Sequence, residues 1–431
     1  MSPIRLSRFL VLATLVALAM GRPGVAAAAA KVHLTFAMWS DSGPAEIDAQ
    51  KALLQKYMAA NPNVEIELYT HGWVGYHPQL LAMAAGEVTP DIMVIQRTYL
   101  PGFVEQGIVQ PIDPWLAKES PEFRRDIVEL VSGTYKNKVY GIPIWGGPSL
   151  VEYNADMFEE AGIPQPIDLA KRNAWTWDVF VEFGRKITRD LNGDGVIDRY
   201  MLPQLSTSEQ DWYVKFRTFG ADVVTADGRP FTNMDAIQKA LDFWSGLSLK
   251  QHIAPPGSRG TVDVDSFLKG RQTAVAYTWV SGIPNHFQMV NRTFRFEVTT
   301  PPAGPNGEFA LVGGCPVAIS AKTPYAQEAY RFARWYAMES GAWKLRGFPS
   351  SWNDLRDEYR SHLATMISWP EAVMKAMSGP ISMEPGIGMH RDDLKRGWYE
   401  TLNLLAKGTI SPYEAATRIV EHTRKVLSGQ Q

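Results

Sequence analysis

The sequence contains very little cysteine and almost no excess of charge. Cys315 is the single cysteine among 431 residues, so the chain can form no internal disulfide and has no second thiolate for a cysteine-based metal site. We predict that Cys315 is a buried, apolar thiol. The 43 basic and 45 acidic residues nearly balance, which argues against a surface that recruits nucleic acid or an anionic membrane.

Catalytic motifs are also missing. The chain has no G-x-S-x-G, no H-E-x-x-H and no phosphate-cradling glycine loop, and its 8 histidines are not spaced as metal ligands. Internal repeats, low-complexity blocks and long linkers are absent as well. With 45% hydrophobic residues, the chain is long enough for two or three domain-sized units with real cores.

The first thirty residues are predicted to be a secretory signal peptide, residues 1–30, and not part of the fold. Arg5 and Arg8 precede an apolar run from Phe9 to Met20, and small residues lead to an expected cleavage after Ala30. That run is about twelve residues long, which is short of the ~20 that a transmembrane helix needs. No cysteine stands directly after the cleavage point to carry a lipid, so we expect a free periplasmic protein and not a lipid-anchored one.

The mature chain begins as alternating strands and helices. Apolar residues two apart predict a strand from Val32 to Trp39, and helical spacing predicts helices over about 46–60 and 76–85. Further strands are expected at Val64–Leu68 and 91–96. Ligands of such open α/β sheets collect at the carboxyl ends of the strands. This rule selects the following candidates: Trp39, Ser40, Asp41, Trp73, Gln96, Arg97 and Tyr99.

A second segment, from Leu150 to Tyr200, links the two halves of the chain. Asn154 and Thr176 have the chemistry of helix N-caps, and Gly162 that of a helix end. The prolines between 163 and 167 predict extended backbone. Later helices are expected over 209–219 and 234–249, with a buried strand running into Trp279.

Several motifs along the chain resemble family 1 extracellular solute-binding proteins, the maltose-binding-protein-like receptors of ABC importers. The motifs are YNADMFEEAGI, TWD and ITRDLNGDG near the centre, AAGEVTPDIMVI before them, and FLKGRQTAVAYTWVSG and LRGFPSS after them. The resemblance implies an α/β, two-lobed periplasmic-binding-protein fold, type II-like, with a ligand cleft between the lobes and hinge crossovers. It also implies a carbohydrate ligand, an ABC permease as partner and a monomer.

The same resemblance suggests how the lobes divide the chain. The N-terminal lobe would contain residues 31–143 and about 296–345, and the C-terminal lobe about 144–295 and about 346–431. The first crossing is expected near Gly141 to Gly147, where glycines and prolines allow a defined but flexible backbone.

Tryptophans at strand ends and in loops are the main candidates for a sugar site. Sugar rings stack on aromatic faces, and sugar hydroxyls require directed polar partners. We therefore expect Trp39 and Trp73 from one lobe to face Trp212 and Trp279 from the other. Three further tryptophans, Trp177, Trp244 and Trp335, fall in helical apolar stripes and are expected in cores. The remaining predicted ligand contacts are Ser40, Asp41, Gln96, Tyr99, Trp145, Asp211 and Arg346.

Two other ligand classes and an enzyme remain alternatives. A glycerophosphodiester would require arginines, for which Arg97 and Arg346 are the candidates. A polyol is the other ligand alternative, and an exported carbohydrate-cleaving enzyme would need a pair of carboxylates across the cleft.

The loop after the TWD helix resembles the front of an EF-hand calcium loop. Its expected oxygen ligands are Asp190, Asn192, Asp194, Val196 through its carbonyl, and Asp198, with Gly195 at the sixth position. Met201 stands where the bidentate carboxylate belongs, so an Asx- and glycine-rich turn is an equal alternative. No cofactor is required, and any calcium would be structural.

Overall fold

The computed structural model describes residues 31–40, 43–73, 75–129, 133–225, 229–269, 272–350, 353–378, 381–383 and 391–429. The predicted signal peptide and Asp41 lie outside the described residues.

The described residues contain twelve strands and eighteen helices. The strands are β1 Val32–Trp39, β2 Val64–His71, β3 Ile92–Val94, β4 Thr134–Tyr135, β5 Lys138–Val139, β6 Gly141–Asn154, β7 Leu205–Ser206, β8 Ser258–Arg259, β9 Val275–Trp279, β10 Phe296–Thr299, β11 Ala310–Ile319 and β12 Ile381–Met383. The helices are α1 Pro44–Ala60, α2 Tyr76–Ala85, α3 Leu100–Glu105, α4 Asp113–Leu116, α5 Pro121–Glu129, α6 Ala155–Glu160, α7 Pro166–Lys171, α8 Trp177–Ile187, α9 Glu209–Thr218, α10 Met234–Leu249, α11 Val264–Leu268, α12 Ile283–Val290, α13 Ala326–Met338, α14 Ala342–Leu345, α15 Asn353–Leu363, α16 Glu371–Ser378, α17 Arg391–Ala406 and α18 Pro412–Leu427.

The strand β6 connects the two halves of the molecule. It runs for 14 residues, and every one of them is buried. Its first part pairs antiparallel with β11, from Gly141 opposite Ala318 to Pro148 opposite Val312. Its second part pairs antiparallel with β9 and β10. The main sheet therefore has the order β10-β6-β11-β3-β1-β2, with β9 on β6 and β12 on β11.

The predicted β-α-β-α-β start of the chain is confirmed. β1 pairs in parallel with both β2 and β3, so the carboxyl ends of these strands lie at one edge of the sheet. This edge holds Trp39 and the residues that follow β3. The mixed α/β class is confirmed as well.

Two hydrophobic cores flank the sheet. The first core contains the side chains around β1 to β5, the first part of β6 and α13, and it continues along one face of β6 to α11 and α12. The second core lies on the other face of the second part of β6 and includes α6 to α10, α17 and α18. Leu150 belongs to the first core and Val151 to the second, as the alternation of side chains along a strand requires.

Local signals explain several helix boundaries. The Asn154 side chain accepts hydrogen bonds from the backbone N–H groups of Asp156 and Met157, at 3.1 and 3.3 Å, and so begins α6. The hydroxyl of Thr176 accepts from the Val179 N–H at 3.4 Å at the start of α8. Gly162, with φ of 65°, follows α6 in the left-handed region that favours glycine.

The prediction of extended backbone over 163–167 is wrong at its end. Helix α7 begins at Pro166, because proline is well tolerated in the first helical turn, where its missing N–H would have no intrahelical partner. No helix among the described residues is both long and apolar enough to cross a membrane.

Candidate functional site

A large cleft lies between the strand ends around β1 and the segment that runs from β9 to α12. It has a volume of about 1380 Å³, which exceeds the ~300–1,000 Å³ of typical small-molecule sites. The first core contributes strand ends and the α14 region, and the opposite side contributes β9, α12 and the 3-10 turn Val280–Gly282. A cleft of this volume, with polar and aromatic side chains along its walls, can hold a ligand of several rings.

One wall of the cleft is aromatic, and we call it the first wall: Trp39, Trp73 and Trp145. Trp39 ends β1, and its ring centroid lies 5.0 Å from that of Trp73 and 6.5 Å from that of Trp145. The three rings meet at steep angles of 62° and 81° to Trp39, so they form a corner and not a single flat plate. All three line the cleft, as predicted from their positions near strand ends.

Arg346 lines the cleft next to the first wall and contacts two of its tryptophans. Its guanidinium lies 4.7 Å from the ring centroid of Trp39 and 5.6 Å from that of Trp145, which are cation–π distances. It forms an ion pair with Glu46 at 2.8 Å and donates a hydrogen bond to the carbonyl of Trp39. Both side chains of the pair are almost fully buried, at 7% and 5% exposure. Glu46 therefore neutralises the arginine within the cleft wall.

The opposite side of the cleft presents Trp279. This residue ends β9 and is half-buried. Its indole packs against the backbone of Gly313 in β11, where an added Cβ would lie 3.2 Å from the ring. Gly313 therefore allows the Trp279 ring to lie flat on β11, with its other side available to the cleft.

Two buried polar groups in the cleft wall have no hydrogen-bond partner among the described residues. They are the indole N–H of Trp145 and the hydroxyl of Tyr277, both on residues that line the cleft. Burial raises the pKa of Tyr277 well above its usual range, so the hydroxyl stays protonated and can donate. An unpaired buried donor costs free energy, and a ligand oxygen in the cleft would relieve that cost.

The remaining predicted residues of the first lobe lie beside or behind the cleft wall. Gln96 lines the cleft, and its backbone N–H donates to Nε2 of His77 at 3.0 Å. Tyr99 stacks on the same histidine at 4.0 Å between ring centroids. Ser40 donates to the carboxylate of Glu46 at 3.0 Å. Ser40 and Tyr99 thus support residues of the wall without being part of it.

Asp211 and Trp212 do not face the cleft, which corrects their predicted position. Trp212 is fully buried in the second core and donates from its indole to the carbonyl of Thr207 at 2.8 Å. The Asp211 carboxylate forms a 2.5 Å ion pair with the fully buried Lys215 and accepts from the Trp244 indole at 3.1 Å. The facing tryptophans are therefore Trp39 and Trp73 against Trp279 alone.

The reason for this error is visible in α9. Asp211 and Lys215 are one helical turn apart and lie on the same buried side of α9, whereas the Trp212 ring packs 6.0 Å from that of Trp398 in α17. The Lys215 ammonium also lies 4.3 Å from the centroid of the Tyr277 ring. Burial lowers the pKa of Lys215, and the charge of Asp211 opposes that shift. The spacing of acid and base in the sequence was the signal for an internal ion pair.

Sequence reasoning also missed three titratable residues in or next to the cleft. His286 and Lys395 line it, and the Glu152 carboxylate bonds His286 from below. Burial lowers the pKa of Lys395 to about 7. Glu152 and His286 each interrupt the apolar pattern of a buried strand or helix face, which was the available signal, whereas Lys395 stands in a charged run and gives no such signal.

The loop from Asp190 to Asp198 is folded by its own side chains. The Asp190 carboxylate accepts backbone N–H groups of Gly193 and Gly195, at 2.6 and 2.7 Å, and Asp194 accepts that of Val196 at 2.8 Å. These are the hydrogen bonds of Asx turns. Within the described ranges, no three His, Cys, Asp or Glu side chains converge to form a metal site. Calcium binding by this loop stays a prediction.

Comparison with solved structures identifies the fold. The chain is similar to an ABC substrate-binding protein from Listeria monocytogenes in complex with cycloalternan, with a TM-score of 0.76 and 16% identity over 92% of this chain and 99% of that one. It is also similar to the sugar-binding protein MalE from Xanthomonas citri, with a TM-score of 0.76 and 15% identity over 93% and 98% of the two chains. The predicted two-lobed periplasmic-binding-protein fold is thereby confirmed.

Sequence comparison then places the chain in a family. A family model described as bacterial extracellular solute-binding protein matches residues 43–343, and the chain belongs to that family. A binding protein of Brucella abortus is 24% identical over 290 residues, and a lactose-binding protein of Rhizobium radiobacter is 24% identical over 251 residues. The match covers 66% of this chain and 66% of the Brucella protein, and 54% and 53% for the lactose-binding protein. The resemblance drawn from sequence motifs is confirmed.

Proposed function

We propose that this protein is the exported substrate-binding component of an ABC importer and binds a carbohydrate of one or more rings in the cleft. The observation that carries the proposal is the arrangement of Trp39, Trp73 and Trp145 opposite Trp279 across a cleft of about 1380 Å³. Trp73 and Trp279 are only partly buried, and their open ring faces suit the C–H faces of pyranose rings, while the buried Trp39 and Trp145 pack behind them in the wall. The buried indole N–H of Trp145, on the first wall, suits an oxygen of a sugar that reaches it.

The charges of the cleft favour a neutral ligand over a phosphodiester. Glu46 neutralises Arg346 at 2.8 Å, and Glu358 pairs with Lys344 at 2.5 Å. Arg97, the other candidate for a phosphate, does not line the cleft, and burial lowers its pKa. A phosphate would have to displace a carboxylate from Arg346, whereas a sugar uses the wall as it stands.

Binding would be coupled to closure of the two lobes. Contacts to Trp39 and to Trp279 exist together only when the lobes approach, so a ligand that makes both shifts the population toward the closed form. The permease subunits would recognise that closed form at the membrane. The signal peptide expected in residues 1–30 would deliver the protein to the periplasm, where we expect it to act as a monomer without a required cofactor.

Thermal melting of the chain from Lys31 to Gln431 tests this function. The panel contains lactose, maltotriose, mannotriose, tagatose, sorbitol and glycerophosphocholine, each with and without calcium. A ligand at a hundredfold above its Kd adds about 2.7 kcal/mol to the free energy of unfolding, which gives a visible rise in Tm. A rise with a sugar that is absent in Trp279→Ala supports the proposal. A rise with glycerophosphocholine alone would contradict it.

The same samples test for an enzyme. After incubation with each oligosaccharide, chromatography should recover the sugar intact, since a binding protein releases its ligand unchanged. Reproducible formation of shorter sugars would replace the proposed function by a hydrolytic one.

A further inference from the structure

Helix α12 carries a histidine where its pattern calls for an apolar residue. Positions 283, 286, 287 and 290 form one stripe at helical spacing. Ile283 and Val290 are fully buried in the first core, and Phe287 packs against it. His286 occupies the remaining position of this stripe.

The strand below α12 carries a carboxylate at an equally unusual position. Glu152 lies in β6 between Ala276 of β9 and Val298 of β10, in the middle of the sheet, and its side chain is 0% exposed. A buried carboxylate is costly, and replacing a buried ion pair by apolar residues is often neutral or stabilising. Stability alone therefore gives little reason for this pair.

The two side chains bind each other. Nδ1 of His286 lies 2.8 and 3.0 Å from the two carboxylate oxygens of Glu152. This bond commits Nδ1 and fixes the orientation of the ring, as a carboxylate does for a metal-bound histidine. His286 also lines the cleft, so Nε2 is the ring nitrogen available to a ligand.

We propose that His286, oriented by the buried carboxylate of Glu152, donates a hydrogen bond from Nε2 to an oxygen of the bound carbohydrate and selects for an oxygen at that position. The proposal rests on the proposed function of the cleft. Glu152 acts through His286 and is a positioning residue. The favoured ligands are those with a hydroxyl, ring oxygen or glycosidic oxygen there, and deoxy analogues at that position are rejected.

The protonation of the pair supports a donor. Burial raises the pKa of Glu152, and the hydrogen bond to His286 opposes that shift. Burial alone would lower the pKa of His286, but the hydrogen bond and the negative charge of Glu152 together raise it. Below its raised pKa, the imidazolium donates through both nitrogens. Above it, Nε2 has no proton, so the contribution of His286 to sugar affinity is present at low pH and is lost as the pH rises through the pKa of His286.

Several charged groups near α12 have partners among the described residues. On α11 and the turn before it, Asp263 pairs with Arg259 at 2.8 Å and Asp265 with Lys269 at 3.1 Å. On β10, Glu297 accepts the backbone N–H of Ser368 at 3.0 Å. On β9 and β6, Tyr277 and Tyr153 have pKa values raised by burial and stay neutral in this range. Of the other cleft-lining groups, Glu358 pairs with Lys344, and burial lowers the pKa of Lys395 to about 7. The test must therefore separate Lys395, and the cleft-lining His362, from His286.

Calorimetric titration with lactose, maltotriose or mannotriose, whichever binds the wild type, tests the proposal between pH 5.5 and 8.5. We expect His286→Gln to bind about tenfold more weakly at pH 5.5, the worth of one charge-assisted hydrogen bond, and to differ little at pH 8.5. Glu152→Gln should move the pH midpoint downward. Lys395→Met and His362→Gln should keep the pH dependence. His33→Gln, an exposed histidine far from the cleft, is the matched control and should bind as the wild type.

A double variant separates binding from folding. Glu152→Leu with His286→Phe replaces the buried pair by apolar side chains, and we expect it to fold with a Tm at or above that of the wild type while binding as weakly as His286→Gln. Wild-type affinity in this variant, or affinity that is constant or increases with pH in the wild type, would overturn the proposal.

A measurement without ligand keeps this proposal distinct from the proposed function. In ligand-free protein, imidazole nitrogen NMR should show His286 with a pKa above that of a free histidine, and Glu152→Gln should lower it. If no sugar binds, the proposed function fails, whatever this result. If sugar binds but the His286 resonances do not move on binding, His286 is not a ligand contact, and the proposed function of the cleft still stands.

Discussion

At the scale of single residues, two tryptophans of similar appearance in the sequence have opposite roles. Trp279 lies half-buried on Gly313 at the end of a strand and faces the cleft, whereas Trp212 is sealed in the second core. The difference comes from their elements. A strand end leaves one face of a ring open, but a helix that lies flat on a sheet buries every third or fourth residue.

Trp279→Ala should therefore abolish most of the sugar affinity at little cost to folding. We expect Kd to rise by about ten- to a hundredfold, as for a central aromatic contact of a binding site. The Tm of the ligand-free protein should change little. Trp335→Leu is the matched control, because Trp335 packs 4.9 Å from Tyr57 far from the cleft, and it should lower Tm but keep Kd. The reverse pattern would place the sugar elsewhere.

The buried pair of Asp211 and Lys215 should matter for stability and not for recognition. Asp211→Ala leaves a buried ammonium without its carboxylate, so we expect a loss of about 3–5 kcal/mol in the free energy of unfolding. Asp211→Leu combined with Lys215→Met should recover most of that loss. Urea unfolding measures both. If Asp211→Ala were as stable as the wild type, the carboxylate of Asp211 would not be needed to compensate the buried charge of Lys215.

Lys395 provides a pH-dependent contribution with a defined sign. Burial lowers its pKa to about 7 in the folded state, well below that of a lysine in an unfolded chain. Between the two pKa values the unfolded chain holds more protons, so this group makes the protein more stable as the pH rises from 7 toward 10. Lys395→Met should remove that rise and increase Tm at pH 7. If Tm depended on pH in the same way in Lys395→Met and in the wild type, the lowered pKa of Lys395 would be contradicted.

At the scale of elements, the packing of Trp279 on β11 depends on a glycine. An added Cβ at Gly313 would meet the indole at 3.2 Å, which is tighter than ordinary van der Waals contact. Because Trp279 borders open space, the ring can move aside. Gly313→Ala should therefore fold normally and bind sugar several-fold more weakly. Gly86→Ala, where the nearest atom lies at 3.6 Å, is the control and should leave Kd unchanged.

Element boundaries with local chemical signals were predictable from the sequence. Helices α2 and α10 begin and end where their apolar spacing predicts, and Asn154 and Thr176 cap as expected. Strand β11, in contrast, begins at Ala310, and its first residues are held by pairing with β6 and not by a local preference. Pairing between distant segments leaves no local trace in a single sequence.

The candidate site was predictable only in part for the same reason. Strand ends located Trp39, Trp73 and Trp145 at the cleft, and the family motif located Trp279. The pair of Glu152 and His286 joins residues that are 134 positions apart, so the sequence does not show that their side chains meet. Asp211 was misplaced because the sequence does not state which face of α9 meets the sheet.

At the scale of the whole molecule, sugar binding should make the protein more compact. Small-angle scattering with saturating sugar should show a smaller radius of gyration than without it, because contacts from both lobes favour the closed form. Trp279→Ala should show no such decrease at the same sugar concentration. If the radius of gyration of the wild type stayed the same at a sugar concentration where calorimetry shows saturation, the sugar would bind without closing the lobes.

The ladder between β6 and β11 determines what kind of movement the lobes can make. Both strands cross between the lobes side by side, and their hydrogen bonds hold them in register except for the irregularity between Cys315 and Pro316. Sliding one lobe along the other would break this ladder, whereas twisting the ribbon keeps it intact. We therefore expect the lobes to close by rotation about these two strands and not by sliding, so that the same residues of the two rims meet each time the cleft closes.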